Sequence, residues 1–281
     1  MTEVAIVASA FGADAVRRDG HAAWIEPARR AGAAAFEVRR ELMDDATVDP
    51  RALAALGAAI GRAGLWAVWS TPDALYGQNG ALDEAALRGA LDHGRALGAR
   101  FVKLQLGGFG GDAHAARLQR VLAEAGGAMG DEIGDGTGGG IGGPRVVVEN
   151  GQVGQGGALS QFVALFRALE SAGSAARMST PRAHYRLPIG MTFDIGNWQW
   201  RHEPPLLAAA ALAPYVEYVH CKAVAGSGAR RFAAAPAAGD PLCRAAFAWL
   251  PPGAPRGIEF PFDPAHVADD AARHVAWLAA A

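Results

Sequence analysis

Short apolar, β-branched runs alternate with longer amphipathic stretches along almost all of this 281-residue chain. Eight runs read as strands: residues 3–8, 34–39, 65–70, 100–106, 145–149, 190–194, 216–221 and 257–260. Between them lie segments with helical spacing and good helix formers, such as Pro50–Ala63, Leu82–Leu97, Ala113–Ala125, Leu159–Ala172 and Pro264–Leu278. Gly32 and Gly98 each stand where a helix must stop before the next strand. Strands alternating with helices predict βαβ units and a parallel sheet. Eight repeats of the pair predict closure into a (β/α)8 barrel, with residues 1–281 as a single domain.

Two stretches break the rhythm. Gly126–Gly143 is dense in glycine and reads as a flexible loop entering the fifth strand. It lacks the Gly-Lys-Ser/Thr of a phosphate cradle, and a strand rather than a helix follows it, so no nucleotide cofactor is expected. Ser171–Pro188 is polar and proline-containing, and precedes the sixth strand. Loops that precede strands lie on the face of a barrel opposite the chemistry.

Four of the apolar runs end in a residue that can hold a metal or move a proton. Glu149 closes Val146-Val147-Val148, Asp194 closes Gly190-Met191-Thr192-Phe193, His220 closes the run from Val216 to Val219, and Glu259 sits in Gly257-Ile258-Glu259-Phe260. Taken singly, each has a plain explanation: a carboxylate emerging into solvent, a turn aspartate, a structural imidazole. Their separations of 26 to 45 residues are too large for a local metal loop and suit one ligand per βα unit. The residues that close barrel strands line the catalytic rim, and a carboxylate ending an apolar strand is costly unless paired or metal-bound. Consecutive strands five to eight thus deliver a candidate divalent-metal site with acid and base groups built in.

Composition narrows the field. With 51% apolar and 19% charged residues, the chain can bury a large core. A net charge of −2 gives no basic face for a nucleic acid. No apolar run reaches the roughly 20 residues of a membrane span. The start, Met-Thr-Glu-Val-Ala-Ile-Val, lacks the pattern of a signal peptide and reads as a first strand. Cys221 and Cys243 form no metal or disulfide pattern, which fits a cytoplasmic protein.

In their order along the chain, these motifs resemble the xylose isomerase-like TIM barrel superfamily, in particular its sugar-phosphate isomerase/epimerase and ketose 3-epimerase branch. That family places Glu (often Glu-Asn) after strand five, Asp-x-Gly after strand six, His-x-Lys after strand seven and Glu on strand eight. The chain supplies Glu149-Asn150, Asp194-Ile195-Gly196, His220-Cys221-Lys222 and Glu259, and Phe36-Glu37-Val38-Arg39 resembles the family's second strand. Two positions depart. Asn197 stands where many ketose 3-epimerases have His, and Ala223 where an Asp commonly follows His-x-Lys. The related apurinic endonucleases need further histidines on strands two and three; Phe36–Arg39 and Trp69–Pro72 have none, which argues against a nuclease.

The resemblance implies a divalent-metal-dependent sugar or sugar-phosphate isomerase or epimerase, working through a metal-stabilised enediolate. Glu149, Asp194, His220 and Glu259 would bind the metal, with Mn²⁺ the first choice and Mg²⁺, Co²⁺ or Zn²⁺ as alternatives. Glu149 and Glu259 would also transfer the protons. Lys222, Asn197, Glu37, Lys103 and Trp198 are the substrate-binding candidates, although Glu37 and Lys103 could instead pair with each other. Trp66, Trp69 and Trp200 could wall the pocket with Trp198 or serve as core, and Arg39, Arg40 and Arg201 could contact an anion or simply face solvent. A dehydratase of inosose or dehydroshikimate type, and a non-catalytic sugar- or metal-binding barrel, are the competing readings. The expected partner is a small sugar or sugar phosphate, without nucleic acid or membrane, and a homo-oligomer is compatible.

Overall fold

Strand β1 (Val4–Val7) pairs in parallel with β2 (Ala35–Arg39) on one side and with the chain's last strand, Arg256–Ile258, on the other, so the sheet closes on itself. Around the ring follow β3 (Trp66–Tyr76), β4 (Ala99–Gly107), β5 (Arg145–Glu149), β6 (Gly190–Asp194) and β7 (Val216–Cys221), all parallel. A small antiparallel pair outside the barrel, β8 (Ala223–Ala225) and β9 (Phe232–Ala234), comes directly after β7. The closing strand Arg256–Ile258 is therefore β10, and the barrel order is β1-β10-β7-β6-β5-β4-β3-β2. This computed structural model describes residues 1–127, 143–152, 156–177 and 186–281.

The eight barrel strands are the eight runs read from the sequence, because a strand buried on both faces leaves an apolar run that stands out between amphipathic helices. The helices follow local rules as well. Asp49 accepts from the amides of Arg51 and Ala52 at the start of helix Pro50–Arg62, whose first residue is proline. Asp83 caps Glu84–Leu97, and Gly98, in the left-handed conformation at φ 68°, ends it. Three features depart from the expectation. Strand β3 runs on to Tyr76, helix Leu159–Arg177 continues past Ala172, and the β8–β9 pair has runs too short to register as strands. Gly126 and Gly127 close helix Asp112–Gly127; the rest of the glycine-rich stretch up to residue 142, and residues 178–185, lie outside the described residues.

Two separate apolar layers result. Outward-facing strand residues such as Ile6, Val38, Leu104, Val148 and Phe193 pack against the helices in one large core. Inside the barrel, Ala5, Ala35, Val68, Phe101, Val147 and Tyr218 form a second cluster, with Phe101 and Tyr218 stacked at a ring distance of 5.9 Å. Among the described residues, no helix is long and apolar enough to cross a membrane.

Candidate metal centre

Side chains in a strand point inward at every second residue. Two positions beyond the interior apolar cluster, that rule places Glu37 after Ala35, Lys103 after Phe101, Glu149 after Val147 and His220 after Tyr218. Asp194 ends β6, and Glu259 follows β10, its amide bonded to the Cys221 carbonyl. The interior thus changes from apolar to ionic within one layer. Glu37, Asp194 and His220 are wholly buried and Lys103, Glu149 and Lys222 nearly so, while Glu259 keeps a side-chain exposure of 11%.

One ligand atom from each of Glu149, Asp194, His220 and Glu259 lies within 4.8 Å of the others, the only such group among the described residues. The rest of each side chain is fixed by a different partner. Glu149 Oε2 accepts from Lys103 Nζ at 2.5 Å and from Gln105 Nε2 at 2.7 Å. Asp194 Oδ1 accepts from the Asn197 amide at 2.8 Å. His220 Nε2 lies 2.9 Å from Glu37 Oε2, which also accepts from the Tyr218 hydroxyl at 3.0 Å. Glu259 Oε1 accepts from Arg39 at 2.5 Å, and the same guanidinium holds Glu41. The second donor atoms of the first three candidate ligands, Glu149 Oε1, Asp194 Oδ2 and His220 Nδ1, are buried and complete no hydrogen bond, although Lys222 Nζ forms an ion pair with Asp194 Oδ2 at 2.7 Å. Nevertheless they crowd together, with Nδ1 2.6 Å from Glu149 Oε1 and 3.2 Å from Glu259 Oε2.

Buried polar atoms without hydrogen bonds are costly, and when several converge they mark a place for an ion. The electrostatics agree. Burial pushes Asp194 up to about 7, with Glu259 and Glu149 adding to the push and Lys222 opposing it. Burial disfavours a charged imidazole, yet Glu37, Glu259 and Glu149 together raise His220 well above its ordinary value. Burial likewise works against ionised Glu149 and Glu259, but Lys103 on the first and Lys222 with His220 on the second hold both carboxyls low. A locus that raises both the imidazole and the Asp194 carboxyl, while Glu149 and Glu259 stay ionised, has the negative potential a divalent cation needs. Three oxygens and one nitrogen suit a hard-to-borderline ion, so the residues present fit such a metal.

Short-range packing explains the motifs around the ligands. Asn150 is clamped to Asp194 in both directions: its amide donates to the Asp194 carbonyl at 3.0 Å and its oxygen accepts the Asp194 amide at 2.9 Å. Asn197 Nδ2 donates to the Asn150 carbonyl at 2.6 Å, which ties β5 to β6 at the rim. Gly257 is required by its neighbours, because a Cβ there would stand 2.4 Å from the Tyr218 hydroxyl and 2.8 Å from the His220 ring.

The structure brings seven of the nine residues singled out from the sequence into one ionic cluster: Glu37, Lys103, Glu149, Asp194, His220, Glu259 and Lys222, the last through Asp194 Oδ2 at 2.7 Å and Glu259 Oε2 at 2.6 Å. Their places differ from simple substrate contact. Glu37 lies behind His220 and Lys103 beside Glu149, each closed off from solvent, and the two are 3.9 Å apart. Asn197 braces the rim through its amide, leaving its buried Oδ1 unpartnered. Trp198 is not brought to the cluster; its ring packs on Phe162 and Phe193 between barrel and helices. Trp69 likewise packs outside, against His93, and Trp66 lies at the opposite end of the barrel, bonded to Glu3. These three rings are core, not pocket walls, because each takes its strand or helix position on the outward or remote side.

Sequence reasoning missed Arg39 as the partner of Glu259, Gln105 and Tyr218 as partners of other ligands or their braces, and His21, whose Nε2 accepts the Arg39 amide at 3.1 Å. One compositional fact would have flagged two of the inner residues. The chain has 26 Lys plus Arg residues, and Lys103 and Lys222 are its only lysines. A protein that uses arginine everywhere on its surface spends both lysines on the barrel centre.

No family model matches the sequence, and no curated protein matches it. Solved structures do. A xylose isomerase domain containing protein from Salmonella typhimurium is similar at a TM-score of 0.65 with 14% identity, covering 99% of this chain and 97% of its own. An L-ribulose 3-epimerase superposes at 0.61 with 18% identity, over 100% and 99%. The probable 3-DHS dehydratase AsbF of Bacillus anthracis superposes at 0.61 with 10% identity, over 99% of each chain. At these identities the likeness is one of fold, a (β/α)8 barrel.

Proposed function

We propose that this protein is a divalent-metal-dependent sugar isomerase or epimerase that moves a proton on the carbon next to a carbonyl. The observation that carries the reading is the convergence of one ligand atom each from Glu149, Asp194, His220 and Glu259 within 4.8 Å at the ends of four successive barrel strands. These four residues would hold the ion, with Mn²⁺ the first choice for a set of three oxygens and one nitrogen. When bound, the ion acts as a Lewis acid on the substrate carbonyl and makes the neighbouring C–H acidic.

The chain's own residues supply the rest. Glu149 and Glu259 each have one oxygen fixed by a cation and the other directed into the centre. One takes the proton from the carbon beside the carbonyl, and the other returns a proton to the opposite face, inverting that centre. Lys103 orients Glu149 and Arg39 orients Glu259 for this exchange. Asn197 Oδ1, buried without a partner, offers an acceptor for a substrate hydroxyl. The likeness to an L-ribulose 3-epimerase supports a keto-sugar substrate, and the unpaired, buried Cys221 and Cys243 support a reducing compartment.

The likeness to a probable dehydratase makes elimination the reading to test against, since the same proton abstraction then ends in loss of a β-hydroxyl. Incubation with Mn²⁺ and a panel of ketoses, ketose phosphates and cyclitols in D₂O separates them. Recovered sugar with deuterium beside the carbonyl supports isomerase or epimerase action. An enone chromophore supports the lyase, and binding without exchange supports a non-catalytic barrel.

A further inference from the structure

Glu149 and His220 are held by hydrogen bonds only at the atom that faces away from the centre. Lys222 breaks this pattern. Its ammonium forms an ion pair with Asp194 Oδ2 at 2.7 Å and donates a hydrogen bond to Glu259 Oε2 at 2.6 Å. The second of these lies 3.2 Å from His220 Nδ1, so both belong to the inward set. Lys103 behaves otherwise: its ammonium holds Glu149 Oε2 and leaves the inward Oε1 alone. The two lysines of the chain therefore do different work, one outside the ring of ligand atoms and one inside it.

We propose that Lys222 is the counter-ion of the metal-free centre, and that it gives up Asp194 Oδ2 and Glu259 Oε2 when a divalent cation takes them. This inference rests on the reading of the cluster as a metal site. The physical reason is that two carboxylates buried this close cannot both stay ionised without a cation between them. Without a bound cation, the ammonium would fill that role. Gly196 leaves room for it, since a Cβ there would stand 2.5 Å from Lys222 Cγ and 3.3 Å from its Cε. Lysine suits the task better than arginine: it is a single compact charge on a flexible stem that can swing without breaking a bidentate fork.

Amine labelling tests this on the wild-type protein, because Lys103, Lys222 and the N-terminus are its only amines. Brief acetylation followed by peptide mass spectrometry should find both lysines protected without metal. Adding Mn²⁺ should raise modification of Lys222 at least about tenfold and leave Lys103 protected, and a chelator should reverse the change. In parallel, Lys222→Met and Lys222→Gln should bind Mn²⁺ more tightly than wild type by on the order of tenfold in calorimetry, as expected when a competing charge is removed. Bound Mn²⁺ with Lys222 as protected as before, and no gain in affinity in the variant that folds, would overturn the exchange while leaving the metal site standing. Absence of Mn²⁺ binding in wild type and variants alike would overturn the metal reading and the exchange together.

Discussion

Gly196 and Lys222 are matched across the barrel rim: a methyl group on Gly196 would stand 2.5 Å from Lys222 Cγ and 3.0 Å from its carbonyl oxygen. Gly196 belongs to the Asp-x-Gly after β6 and Lys222 to the His-x-Lys after β7, so the two motifs are one piece of packing. Gly196→Ala reports on it with an unambiguous sign. Gly196 lies in helix Ile195–Trp200, where alanine would ordinarily stabilise by about 0.5–1 kcal/mol. The contact predicts the reverse, a loss of about 1–3 kcal/mol in urea unfolding, with weaker holding of Asp194 and Glu259.

Glu37 sets the orientation of His220. With Nε2 bonded to the Glu37 carboxylate, Nδ1 is left for the centre. Glu37→Gln should lower Mn²⁺ affinity by about 10- to 100-fold, as outer partners of ligating histidines typically do. Tyr218→Phe removes only the second bond to Glu37 and should cost less. Unchanged affinity in a folded Glu37→Gln protein would assign the carboxylate a purely packing role.

Stability should fall on the acid side through His21. Burial holds its pKa down to about 4, where it accepts the Arg39 amide as a neutral ring. A histidine in the unfolded chain titrates near 6.5, so between these values the unfolded state binds more protons than the folded one. The contribution is complete above about 6.5 and is lost as pH falls towards 4, by at most about 3 kcal/mol. His21→Gln keeps an acceptor without a titration, so the pH dependence of its urea midpoint should be flatter than wild type's over that window.

Metal removal should be felt in stability as well as in turnover. At a free Mn²⁺ concentration of 100 times its dissociation constant, the folded state gains about 2.7 kcal/mol, which a chelator should abolish. Asp194→Asn should erase that metal-dependent shift in melting temperature, whatever it does to the metal-free protein.

The barrel was legible because strands buried on both faces are apolar runs, and eight strand–helix repeats favour closure over an open sheet, as the closed ring of β1-β10-β7-β6-β5-β4-β3-β2 bears out. The four clustered residues were legible for a related reason: Glu149 and Asp194 stand at the abrupt end of such a run, where a charge needs a purpose. What escaped was anything set by three-dimensional neighbours instead of position in a run. Glu37 and Lys103 read as rim residues because inward direction is visible in the alternation but depth along the barrel axis is not. Trp198 read as a pocket wall because one residue of helix rotation decides between pocket and core. The bond from Arg39 to Glu259 spans 220 residues and leaves no local trace.

The most direct measurement of the central claim is proton exchange by the two glutamates. In D₂O with Mn²⁺ and a turned-over ketose, wild-type protein should place solvent deuterium on the carbon beside the carbonyl. Glu149→Gln and Glu259→Gln should each slow that exchange by about 10²- to 10⁴-fold while remaining folded. Exchange at the wild-type rate in both variants, or at the same rate without metal, would contradict it.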